Sequence, residues 1–154
     1  MTPSETGAIE REVRIGAQPE TIFPFLTDPE LFALWSGRAT LDPRPGGIFR
    51  SEVDGEHVAR GEYVVVDPPN RVVFTWGWEA DGSPVPAGSS TVEITLIADG
   101  EHTIVRLVHR DLPDKEAADA HALGWEHYLE RLRIAGAGGD PGPDSWARRP
   151  GVAE

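Results

Sequence analysis

The apolar positions of the chain change period three times. Around Ile9, Val13 and Ile15 they alternate with charged residues, the two-residue period of a half-buried strand. Over 18–35, QPETIFPFLTDPELFALW, the period lengthens to that of a helix, with Pro19 and Pro29 each placed at a helix start. Ile22, Phe23, Leu26, Leu31, Leu34 and Trp35 are spaced for one face, which predicts two short helices, the first disturbed at Pro24. Alternation then returns. A short strand leads through the turn over 43–47 to a second that carries Ile48, Phe49 and Val53 to Asp54-Gly55. Two strands joined by Asp67-Pro68-Pro69-Asn70 follow, and two more meet at Asp99-Gly100, with Val92, Ile94 and Leu96 alternating in one and Val105, Leu107 and His109 in the other.

From Asp114 the helical period comes back for about 22 residues without proline, DKEAADAHALGWEHYLERLRIAG, and stops at glycines. His121, Gly124, Trp125, Tyr128, Leu129 and Leu132 share one face, whereas most of the charged residues take the other. Beyond Gly136 the Gly- and Pro-rich sequence has no period and predicts a tail or an extended arm pinned by Trp146. The expected organisation is an N-terminal tail over 1–8, one domain over 9–135 and a C-terminal tail over 136–154. An antiparallel sheet with one apolar face must cover it, and only the long helix can do so. The fold class is α+β: a curved antiparallel sheet of six to seven strands wrapped around a long C-terminal helix, with two short helices after the first strand.

Composition narrows the partners. A chain of 154 residues has a core of its own without staples. A net charge of −12 excludes binding to a phosphate backbone and disfavours an anionic membrane surface. No apolar run reaches the length of a spanning helix, and the first residues lack the pattern of a signal peptide, so a cytoplasmic location is expected. With no cysteine and only one lysine, Lys115, thiolate and Schiff-base chemistry are set aside. The spacing of His57, His102, His109, His121 and His127 matches no metal motif, and there is no nucleophile elbow, P-loop or dinucleotide fingerprint. No cofactor is called for.

Four stretches, PETIFPFLTDPELFALW, GEYVVVDPPNRVVFTWGW, STVEITLIADGEHTIVRLVHRDLP and HALGWEHYLERL, together resemble the single-domain relatives of the activator of heat-shock-protein-90 ATPase, within the START-like and polyketide-cyclase-like (SRPBCC) superfamily. The tail GGDPGPDSW is similar to tails of bacterial members. The resemblance implies a helix-grip fold with a cavity between the long helix and the concave sheet face, used by many members for hydrophobic or aromatic small molecules. It implies no single reaction. The eukaryotic co-chaperones carry a further N-terminal domain with a stimulatory motif, whereas eight residues precede the first strand here, so activation of a chaperone ATPase is not expected.

The candidate cavity residues are Trp76, Trp78, His109, His121, Trp125 and Tyr128. In VVFTWGW, Val72, Phe74, Trp76 and Trp78 fall on one side of a strand. Phe74 is read as a core anchor, and Trp76 and Trp78 as either core or cavity wall near the end of the strand. Trp125, Tyr128 and His121 face them from the helix, and Gly124 either lets the helix approach the sheet or leaves space there. His109 is either a structural residue or a source of a hydrogen bond or proton inside the cavity. Arg106 and Arg110 are expected at the surface, within reach of a ligand carboxylate at the rim. Three functions fit: a small-molecule-binding protein; a polyketide-cyclase-like enzyme using His109, His121 or Tyr128; and a chaperone-interacting module. An exposed sheet edge admits a homodimer without selecting one.

Overall fold

The computed structural model describes residues 7–53 and 57–146. The Asp54-Gly55 turn and the outer parts of both expected tails lie outside the described residues. Seven strands form one antiparallel sheet: β1 (Ile9–Ile15), β2 (Ala39–Leu41), β3 (Ile48–Glu52), β4 (Val58–Asp67), β5 (Arg71–Trp76), β6 (Ser90–Asp99) and β7 (His102–Arg110), in the spatial order β1-β7-β6-β5-β4-β3-β2. Because β1 and β2 are the two edges, the chain between them must travel from one side of the sheet to the other. That span holds α1 (Pro19–Ile22), a 3-10 turn (Phe23–Leu26) and α2 (Pro29–Phe32).

Proline explains the broken helix. Pro19 opens α1 and Pro29 opens α2, where Asp28 caps the first turn by accepting from Glu30 N. Pro24 has no N–H to continue the α-helical ladder, so the chain tightens into the 3-10 turn. The resulting change of phase corrects the expected apolar face. Leu34 is 50% exposed, while Phe25 and Phe32 turn inward. Trp35 is buried, and its indole N–H donates to Phe25 O at 2.9 Å.

The last helix, α3 (Lys115–Gly136), starts where Asp114 accepts from Ala117 N, and it buries Trp125, Tyr128, Leu129 and Leu132 against the concave face. Phe74 is the core anchor read from the sequence: it is buried and stacks on Phe49 of β3, with ring centroids 4.0 Å apart. Val92, Ile94, Leu96, Val105 and Leu107 are all buried on the same face, as their alternation predicts. A bulge between Tyr63 and Val65 interrupts the register of β4 on β5, where it adds twist to the sheet.

Candidate functional site

The aromatic strand ends sooner than its alternation suggests. β5 stops at Trp76, and Trp78 is held instead by isolated bridges to Ala59 and Pro86, with its N–H donating to Val85 O at 2.8 Å. Gly77 makes this crossing possible, since a Cβ there would stand 1.7 Å from Pro86 O. The backbone turns, yet Trp78 still reaches the same cavity as Trp76. Their rings meet edge to face at 5.5 Å, and Trp125 of α3 lies 5.3 Å from Trp76 on the other side.

Between these rings and α3 is a cavity of about 420 Å³. Trp76, Trp78, His121, Trp125 and Tyr128 line it, as does Trp146 from the segment after α3. Gly124 is the gap in the helix: a Cβ at this position would meet nothing within 4 Å. Among the described residues that line it, none is an aspartate, glutamate, lysine or arginine. The described wall is thus built of apolar, aromatic and small polar residues, on a chain whose net charge is −12.

The hydrogen bonds around the two histidines fix their tautomers. Trp125 Nε1–H donates to His109 Nδ1 at 3.0 Å, so the proton of neutral His109 sits on Nε2 and points at Ser90 Oγ, 2.8 Å away. Ser90 in turn donates to Trp76 O at 2.8 Å. Burial, and secondarily His121, push the His109 pKa down to about 3, so the ring is neutral at pH 7. His109 thus stands behind the cavity wall, fully buried and covered by Trp125, rather than on it. Its contact with Ser90 is not a nucleophile–base pair, because the serine accepts the proton it would have to lose.

His121 is on the wall. Its Nδ1–H donates to Ala117 O at 2.8 Å and its Nε2 accepts from Trp78 Nε1–H at 3.0 Å. Burial lowers its pKa in spite of the Ala117 carbonyl, which favours the charged form. Both rings are therefore neutral, and each uses both of its nitrogens inside the protein.

Two buried polar atoms on the concave face have no partner among the described residues: Trp76 Nε1 and Ser51 Oγ. The indole belongs to a wall residue and can only donate. Arg110 does not reach the cavity, since its guanidinium pairs with Glu93 at 3.1 Å and Arg71 holds the same carboxylate. Arg106 pairs with Glu10.

Sequence reasoning missed lining residues from the loops, Val53, His57, Ala80 and Ser83 among them, and a group from the segment after α3. Asp144 Oδ1 accepts from His127 Nε2 at 2.7 Å and from Trp146 N at 2.9 Å, and Oδ2 accepts from Tyr128 O–H at 2.6 Å. Burial raises the Asp144 pKa, but these three donors outweigh it and hold the carboxyl below its usual range. Trp146 lies flat on His127, with ring centroids 4.1 Å apart and planes 7° from parallel. A lone tryptophan in an aperiodic tail was the available signal, and it marked the pin without showing that the pin also lines the cavity.

Among the described residues no group of three or more His, Cys, Asp or Glu is placed to hold a metal, and no helix is long and apolar enough to cross a membrane. Residues 16–136 match the family described as Activator of Hsp90 ATPase homolog 1-like protein (AHSA1). An AHSA1-like protein from Rhizobium etli, solved by solution NMR, is 39% identical with a TM-score of 0.72, over 97% of this chain and 94% of that one. CalU16 from Micromonospora echinospora, also an NMR structure, is 26% identical with a TM-score of 0.73, over 90% and 71% of the two chains. An HSP90 activator from Plasmodium falciparum shares the fold at 22% identity and a TM-score of 0.67, over 83% and 94%. No curated protein sequence matches significantly. The family match, which covers strands β2 to β7 and α3, places the chain among the Activator of Hsp90 ATPase homolog 1-like proteins.

Proposed function

We propose that this protein binds a neutral, flat, aromatic small molecule in the cavity between the sheet and α3. The observation that carries the reading is the character of the wall: indole, phenol and imidazole rings around about 420 Å³, with no aspartate, glutamate, lysine or arginine among the described lining residues. That volume lies within the range of about 300–1,000 Å³ usual for small-molecule sites. Flat rings gain from stacking and edge contacts on such a wall, whereas a charged ligand would lose its hydration without a counter-ion. The unpartnered Trp76 N–H adds one preference, a carbonyl or ether oxygen on the ligand, because an unsatisfied buried donor costs about 1–3 kcal/mol.

Binding is favoured over turnover by the same hydrogen bonds that fix the histidines. Neither His109 nor His121 has a ring nitrogen left for a substrate proton, and the Tyr128 hydroxyl donates to Asp144. A suitable probe is Prodan, a neutral naphthalene that carries a ketone and accepts energy from tryptophan. Titration should quench tryptophan emission saturably and shift Prodan emission to the blue, while 2-naphthoate, similar in shape but anionic, should bind at least about tenfold more weakly. Absence of a saturable response to Prodan, or equal affinity for the two compounds, overturns the reading.

A further inference from the structure

The walls of the cavity differ in how they are held. Trp76 sits in β5, paired on both sides, and Trp125 sits in the middle of α3, so neither can withdraw without breaking regular structure. Residues 140–146 are held differently. Among the described residues no backbone hydrogen bond joins this segment to the sheet or to α3; the last one, Gly139 N to Ile134 O, ends at the helix stop. Side chains hold it instead. Arg131 Nη1 reaches Pro141 O at 3.5 Å, Trp146 stacks on His127, and Asp144 gathers the donors of His127, Tyr128 and Trp146 onto one carboxylate. Trp146 lines the cavity and is nevertheless 50% exposed, which places it at the mouth, with ligand space on one side and solvent on the other.

We infer that residues 140–146 form a strap that opens to admit and release the ligand, with Trp146 as its gate and Asp144 as its catch. The inference rests on the cavity being the binding site. Asp144 is buried enough for its hydrogen bonds to be strong, with 13% of the side chain exposed, and two of its donors come from the adjacent α3 positions His127 and Tyr128. Releasing this single carboxylate detaches the strap from the helix at two points and loosens the Trp146 turn with it. Opening requires no change in the sheet.

The test is stopped-flow fluorescence with Prodan on the full chain, comparing wild type with Asp144→Ala and Trp146→Ala. Trp146 lies outside the packed core cluster, so its variant keeps the test alive if Asp144→Ala does not fold. A catch predicts that association and dissociation both accelerate by about tenfold in Asp144→Ala, the scale set by hydrogen bonds to a charged group, while Kd moves much less. Trp146→Ala should accelerate both rates as well. Unchanged rates in both variants overturn the strap. Faster dissociation alone, with Kd rising in proportion, also overturns it and makes Trp146 a fixed wall. If Prodan does not bind wild type, the cavity reading fails, and acrylamide quenching then judges the strap without any ligand: Asp144→Ala should expose the buried indoles to the quencher, and identical quenching refutes the opening.

Discussion

Replacing His109 by glutamine tests the buried hydrogen-bond chain through its dependence on pH. Glutamine has a donor and an acceptor at similar reach, so it can serve both Trp125 and Ser90, but it does not titrate. In the folded protein His109 has a pKa of about 3, against its ordinary value of 6.5. Between these values the unfolded chain binds a proton that the folded one refuses, so this residue makes stability fall as pH is lowered through 6.5, and the loss levels off near 3. Each pH unit within the window is worth about 1.36 kcal/mol, which gives about 2 kcal/mol between pH 7 and pH 5. Asp144 acts in a different range: its folded pKa is lowered, so its contribution is present above the usual carboxylate value and is lost only as pH falls below about 4. Urea denaturation followed by far-ultraviolet circular dichroism, at several pH values from 5 to 8, should therefore show the wild-type curve losing about 2 kcal/mol more than His109→Gln. The large negative net charge and the titration of His121 act on both proteins and largely cancel in the difference. Parallel stability–pH curves would refute the buried, neutral assignment of His109.

Two further substitutions address space and packing. Gly124→Ala should stabilise the protein by about 1 kcal/mol in a urea melt, because it removes a helix-interior glycine at a position where a Cβ meets nothing, while Gly124→Leu should project into the cavity and weaken Prodan binding by about tenfold or more. Phe74→Ala should cost about 3–5 kcal/mol in the same melt, since it empties a buried place stacked against Phe49.

Much of the fold was legible because each long element has one period and one face. The alternation of Val92, Ile94 and Leu96, the helical spacing of Trp125, Tyr128 and Leu132, and the resemblance of four stretches to one family all pointed to a sheet gripping α3. Leu34 escaped because Pro24 resets the helical phase, and one stripe cannot be drawn across two short helices and a 3-10 turn. His109 escaped differently. Alternation gave its direction correctly but not its depth, which depends on Trp125 arriving from another element to cover it. Asp144 and Trp146 left no periodic trace at all, since what holds them is a set of side-chain contacts to His127 and Tyr128 across a stretch rich in glycine and proline.

The family match ends at residue 136, whereas the tryptophan at the cavity mouth is residue 146. One wall of the cavity is thus supplied from beyond the span of the family match, by a tail that the Rhizobium etli relative, aligned over 97% of this chain, can share or vary. If the cavity takes a ligand, exchanging the few residues around Asp144 and Trp146 would alter what enters without disturbing the packed core beneath. In such an architecture ligand choice and fold stability can diverge independently, so relatives with the same sheet and helix need not share a ligand.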